Sequence, residues 1–259
     1  MNLVGRAGRA FLTIIQQLGS AAIFLFEIFR TMSILCRRPY LLIDQLYSVG
    51  VMSVLIIAAA GLFVGMMLGF QGYYNLVVFG AESSLGLAVA LFLTRELSPV
   101  LTALLFAGRA GSSLTAEIGL MKVTQQLAAM EMMAVNPVGR IIAPRFLAGI
   151  IAMPFLAILF TVFGLGGGYL VSVLILDVDG GIFWASIESG IDVYDDILSG
   201  VAKSLAFGLV VAWISVFEGY RAVSNTASVA KATTRTVVVS SLFVLGLDYL
   251  MTAIMFDEV

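Results

Sequence analysis

Of the 259 residues, 61% are hydrophobic and only 12% charged, with a mean hydropathy of +1.07, far from the balance of a water-soluble domain. There is no histidine and one cysteine, Cys36, which excludes histidine acid/base chemistry, an internal disulfide framework and a zinc site. The formal net charge of -2 conceals a separation of signs along the chain.

Arg6 and Arg9 precede an apolar stretch, but Gln16, Gln17 and Glu27 interrupt it and no small-residue cleavage site follows, so the segment is read as retained rather than cleaved. Phe11, Ile14, Leu18, Ala22, Leu25 and Phe29 recur at helical spacing, with Arg30, Arg37 and Arg38 beyond them. This predicts an amphipathic helix lying in the membrane interface; a sixth span is the alternative. No charge occurs between Asp44 and Glu82, and about 20 apolar residues suffice to cross the hydrocarbon core. The first span is placed at residues 46–72, the second at 85–108, the third at 146–176, the fourth at 197–217 and the fifth at 236–256. A polar, small-residue turn is expected at 107–117. The predicted fold is an all-α integral membrane protein with five transmembrane helices, an N-terminal interfacial helix and a cytoplasmic coupling helix, in one domain.

Lys and Arg are retained on the cytoplasmic side. With the N-terminus inside, twelve of the fourteen basic residues fall in cytoplasmic segments, and the other two, Arg95 and Lys203, lie within spans. The opposite side collects Glu82, then Asp177, Asp179, Glu188, Asp192, Asp195 and Asp196, then Asp257 and Glu258.

Gly61, Gly65 and Gly69 share one helix face, suiting close helix packing within one subunit or a dimer seam. Arg95 and Glu96 sit mid-span, where a charge facing lipid costs a few kcal/mol, so they face protein, water or a polar ligand. Neighbours project about 100° apart on a helix, so each needs its own partner. They form either a structural ion pair with Lys203 or Asp248 or a polar site for a charged or zwitterionic head group. Pro99 frees a backbone carbonyl one turn earlier. Lys203 either snorkels or faces a cavity. Asp248, deeper in its span, requires a hydrogen-bond or salt-bridge partner.

In the segment 118–134, Leu120, Val123, Leu127, Met130 and Ala134 form an apolar stripe, with Lys122, Gln125 and Gln126 off it. Met121, Met130, Met132 and Met133 give an adaptable surface that suits a protein groove, and resting on the bilayer is the alternative. No G-x-x-x-x-G-K-[ST] motif occurs, so any nucleotide that drives this protein binds another chain.

The run from Gly108 to Met121, the Met130–Pro137 segment and Pro144-Arg-Phe146 resemble the MlaE/YrbE permease family. Gly65–Gly72, Leu93–Pro99, Ala232–Val237 and Leu245–Asp248 fit the same family, which covers the chain from about Pro39 onward. The resemblance implies the permease of an ATP-driven phospholipid transporter in a bacterial inner membrane, with the N-terminus cytoplasmic and the C-terminus periplasmic. It would serve a periplasmic carrier route that maintains outer-membrane lipid asymmetry. The implied partners are a second copy of the chain, MlaF-type ATPases that hold ATP and Mg, MlaB-type STAS proteins and an MlaD-type MCE hexamer. No cofactor, metal or catalytic residue is expected in this chain. By resemblance, Arg95, Glu96, Leu97, Leu68, Leu76 and Phe79 line an outward-open lipid pocket, with Lys203 and Asp248 as polar support. Glu117, Leu120, Val123, Leu127, Met130 and Glu131 would then belong to the coupling helix that docks on the ATPase.

Two other classes stay in view. An ion-coupled secondary transporter would use Glu96 and Asp248 as proton sites, although no inverted repeat is recognisable. A membrane scaffold would explain the amphipathic segment but not ionisable residues inside three spans.

Overall fold

The computed structural model describes Gln16 and residues 19–32, 39–192 and 196–256. With no water to satisfy them in hydrocarbon, backbone amides and carbonyls must pair within their own segment, so long apolar runs become helices. Among the described residues five helices are long and apolar enough to cross a membrane: α2 (Tyr40–Val77), α3 (Glu82–Val123), α5 (Val138–Leu174), α7 (Leu198–Arg221) and α8 (Thr226–Phe256). Helix α1 spans 19–31, and the shorter α4 (Gln126–Met132) and α6 (Gly180–Gly190) connect spans at opposite ends. The start of α3 carries Glu82 and the α5–α7 connection carries Asp177 and Asp179, and this is the acidic end. The α3–α5 and α7–α8 connections lie at the basic end, where the adjoining helix ends carry Lys122, Arg140, Arg145, Arg221, Lys231 and Arg235.

The glycine stripe of α2 is a seam within the chain. A methyl at Gly61 would lie 2.6 Å from the Phe160 carbonyl and one at Gly69 2.9 Å from the Gly168 carbonyl, while one at Gly65 would collide with Gly164. The glycines of α5 meet those of α2, so the two backbones touch and dispersion contacts hold them. Around this pair lies an apolar core of Leu85, Val89 and Leu93 from α3, Leu156 and Phe160 from α5, and Phe207 and Val211 from α7.

Two sequence expectations change. Residues 107–117 form no turn: α3 runs unbroken from Glu82 to Val123. Small residues let it lie close against α7 and α8, and the hydroxyls of Ser112 and Thr115 return to the carbonyls of Gly108 and Gly111, so the stretch needs no water. Nor is 118–134 one helix, because Gln125 takes a positive φ of 59° and breaks it, leaving only α4 as a separate element. A second positive φ, 57° at Ala134, ends the connection.

Helix α1 buries Ala21, Phe24 and Ile28, and the Phe24 ring stacks on Tyr220 at 5.2 Å. The predicted stripe is offset by one position: Ala22 and Phe29 are exposed and Leu25 is half-buried, while Phe11, Ile14 and Leu18 lie outside the described residues. Because Ile23 and Phe26 are also exposed, this helix is apolar on both its protein-facing and outer sides.

Candidate functional site

Helix α3 does not carry Arg95 and Glu96 on a regular α-helical turn. Residues Leu93–Leu97 form a π-helical turn in which the Ser98 amide bonds back to the Leu93 carbonyl, five residues away. Such a turn adds one residue and re-aims the side chains around it. Pro99 follows and has no N–H to offer the Arg95 carbonyl four residues earlier. Each of the two charges has its own partner. Arg95 pairs with Asp196, which is only 1% exposed and also accepts the Asp192 amide at 2.9 Å. Glu96 meets the Lys203 ammonium at 2.9 Å.

Lys203 is the hub. It is 2% exposed and does not snorkel, because Gly200, one turn earlier on α7, brings the helix against the Thr94 carbonyl of α3 and leaves the lysine inside the bundle. Its three N–H donors have three acceptors: the Arg95 carbonyl at 3.0 Å, Glu96 Oε1 at 2.9 Å and Thr252 Oγ1 at 2.8 Å. Asp248 Oδ1 lies 3.6 Å from the same nitrogen, which supplies the partner that its depth in α8 required. The cluster thus ties α3, α7 and α8 together at membrane depth. Arg95 and Glu96 keep 37% and 31% of their side chains exposed, so both signs of charge stay available to a ligand. Among the described residues no group of acidic or cysteine side chains has the arrangement of a metal site. The chemistry on offer is recognition of charge.

Residues 42–254 match the family described as Permease MlaE. The intermembrane phospholipid transport system permease protein MlaE of Haemophilus influenzae is 50% identical over 256 residues, covering 99% of this chain and 98% of that one. A probable ABC transporter permease of Rickettsia felis is 36% identical, covering 99% and 98%. A similar permease of Synechocystis is 34% identical, covering 83% and 81%. The chain belongs to the MlaE permease family.

In this MlaE-family chain, Asp196 and Thr252 are the site residues that sequence reasoning missed. Asp196 read as one of several acids at a span end, yet it lies seven residues before Lys203 and so shares its helix face. Thr252 lies four after Asp248, on the face of that aspartate. The apolar residues assigned to the same pocket are not all gathered at the cluster. Leu97 is half-buried beside it, Leu68 and Leu76 are half-buried against the α2–α3–α5 core, and Phe79 is 82% exposed beyond the end of α2.

At the basic end of the MlaE-family bundle the expected coupling residues divide. Leu127 is buried and holds α4 to the bundle, whereas Leu120, Met132 and Met133 are exposed. Val123 and Met130 are half-buried, Glu131 and Ala134 are exposed, and Glu117 pairs with Arg145 at 3.1 Å. Lys122 donates to the Tyr220 carbonyl at 2.7 Å, where the end of α7 favours a cation. Arg109 reaches from α3 to the Ser48 carbonyl and the Ser53 hydroxyl of α2, at 2.9 and 3.0 Å.

Proposed function

We propose that this chain is the permease subunit of an ATP-driven transporter that moves phospholipids between a bacterial inner membrane and a periplasmic route to the outer membrane, maintaining lipid asymmetry there. The observation that carries this reading is the Arg95–Glu96–Lys203–Asp248 cluster, partly open inside an otherwise apolar bundle. A ligand with a charged head and two acyl tails matches such surroundings, and the name of the H. influenzae relative points the same way. The pocket is formed by Arg95, Glu96 and Leu97 with Leu68, Leu76 and Phe79, and is completed by a second copy of the chain. The basic end faces the cytoplasm, since twelve of the fourteen basic residues lie in the N-terminal region or in the parts of α3, α5, α7 and α8 toward that end.

The working complex contains a homodimer of this chain, MlaF-type ATPases that bind ATP and Mg, MlaB-type STAS proteins and an MlaD-type MCE hexamer. The ATPase docks on α4 and the exposed Leu120, Met132 and Met133. Because α3 is continuous from Val123 to the charged pair, a push at its basic end reaches Arg95 and Glu96 without crossing a loop. Closure of the two copies then expels lipid toward the periplasm.

The test is purification in mild detergent from the native host, with mass spectrometry of everything retained, polypeptide and lipid. A P-loop ATPase, an MCE protein and phospholipid are expected, with Glu96→Arg impairing lipid transport while the complex still assembles. A lone chain that transports under a proton gradient without ATP would overturn the reading and make Glu96 and Asp248 a proton path.

A further inference from the structure

A cavity lies behind the charged cluster without including its side chains. Its volume is about 460 Å³, and it is bounded by α3, α5, α6 and α7 toward the acidic end. That volume falls within the range of small-molecule sites, about 300–1,000 Å³. Ile158 and Val162 of α5, Ile187 of α6, Ile191 just beyond it and Val201 of α7 give the wall its apolar face, and Glu188 stands at the acidic-end rim, exposed.

Three hydroxyls border the space and each donates to a backbone carbonyl, two within their own helix and Ser98 across to α5. Thr94 Oγ1 donates to the Ala90 carbonyl at 2.9 Å, Ser98 Oγ to the Ala157 carbonyl at 2.5 Å and Thr161 Oγ1 to the same carbonyl at 3.1 Å. Water needs two or more polar partners to settle in a cavity, and away from the Glu188 rim these hydroxyls have already used their donors, so the walls hold water poorly. An empty space of this size would forfeit dispersion contacts along its whole lining. Ile158 and Val162 are 46% and 58% exposed, so the cavity opens sideways at the depth of the spans, where the neighbouring medium is hydrocarbon.

We propose that this cavity holds one acyl chain of a bilayer phospholipid, as a lipid site separate from the Arg95–Glu96 pocket. The chain lies along α5 between α3 and α7, and the head group lies near Glu188. Thr94 adjoins Arg95 and Ile197 adjoins Asp196, so the bound chain packs directly behind the Arg95–Asp196 pair. The inference rests on the proposed reading only in taking α3, α5 and α7 as membrane spans.

The experiment is photolabelling of the detergent-purified complex with a phosphatidylethanolamine that carries a diazirine in its acyl chain. Labelling of peptides from 157–165 and 187–201 is expected to saturate at one lipid per chain, while labelling around exposed Leu55 on α2 rises in proportion to probe. Thr161→Trp, or the rim variant Ile158→Trp if the first does not fold, should reduce the saturable labelling at least tenfold. Labelling that rises linearly and ignores both fillers would mean bulk annular lipid and overturn the proposal. A photoreactive residue at position 162 that captures a second polypeptide in native membranes, instead of lipid, would also overturn it in favour of a partner's helix. Glu96→Arg separates the two ideas, because loss of transport with unchanged saturable labelling leaves this site standing on its own.

Discussion

The Lys203 ammonium donates at 3.0 Å to the main-chain carbonyl of Arg95, the carbonyl that Pro99 deprives of its helical donor. A backbone defect on one span is thereby repaired by a buried charge on another, and the same charge holds Glu96 and Asp248. Breaking a buried ionic cluster on one side leaves the remaining charges uncompensated.

Lys203→Met should therefore cost about 3–5 kcal/mol of stability, read as lost resistance to unfolding in detergent. Replacing all three charges together, Lys203→Met with Glu96→Gln and Asp248→Asn, should restore most of it. If the single variant unfolds like the parent, the network is not structural.

Gly65→Ala drives a methyl into the Gly164 carbonyl and must part α2 from α5. Overpacking of this kind costs about 1–3 kcal/mol. Gly166, on the same α5 helix, has nothing within 4 Å of where its methyl would sit. Gly166→Ala should be neutral or stabilise by up to about 1 kcal/mol, through helix propensity alone. Equal effects of the two variants in a thermal-unfolding series would contradict the seam.

The α4 segment is bounded by Gln125 and Ala134, both at positive φ. A left-handed conformation costs a side-chain-bearing residue roughly 1–2 kcal/mol, which glycine does not incur. Gln125→Gly and Ala134→Gly should each raise stability, by up to about 1 kcal/mol after the extra entropy of the unfolded chain is offset. A loss of stability in either variant would show that the bend is held by side-chain contacts.

Leu127 and Met132 separate support from docking. Leu127 is 5% exposed, and Leu127→Ala should destabilise the protein by about 2–5 kcal/mol. Met132 is 85% exposed, and Met132→Glu should leave stability within about 0.5 kcal/mol. On the proposed coupling role it should also lower recovery of the ATPase at least about tenfold, or 1.4 kcal/mol. Unaltered ATPase recovery with Met132→Glu would move the docking surface elsewhere.

The spans were legible because crossing hydrocarbon imposes a length and a composition that a single sequence displays directly, and the five runs it displays are the five long helices. The need of Arg95, Glu96 and Asp248 for partners was legible for the same reason, since an isolated charge is expensive at that depth. The course of α3 through 107–117 was not. Glycine, serine and threonine signal a turn in water, but among packed helices they permit close approach, and their hydroxyls bond inward, as Thr115 does to α7 and α8.

The sequence by itself determined that this is a helical membrane protein, where its five long apolar runs lie, which ends collect which charge, and which ionisable residues could not be left alone. Only the tertiary structure decided who answers whom. Asp196 answers Arg95, and Lys203 answers Glu96, Asp248 and the Arg95 carbonyl, while Gly65 meets Gly164 within one chain instead of a neighbour. Burial and charge are costs borne by each residue along the chain, so a sequence reveals them; pairing depends on which helix faces lie opposite one another, and that is set by packing among residues as far apart as 95 and 203.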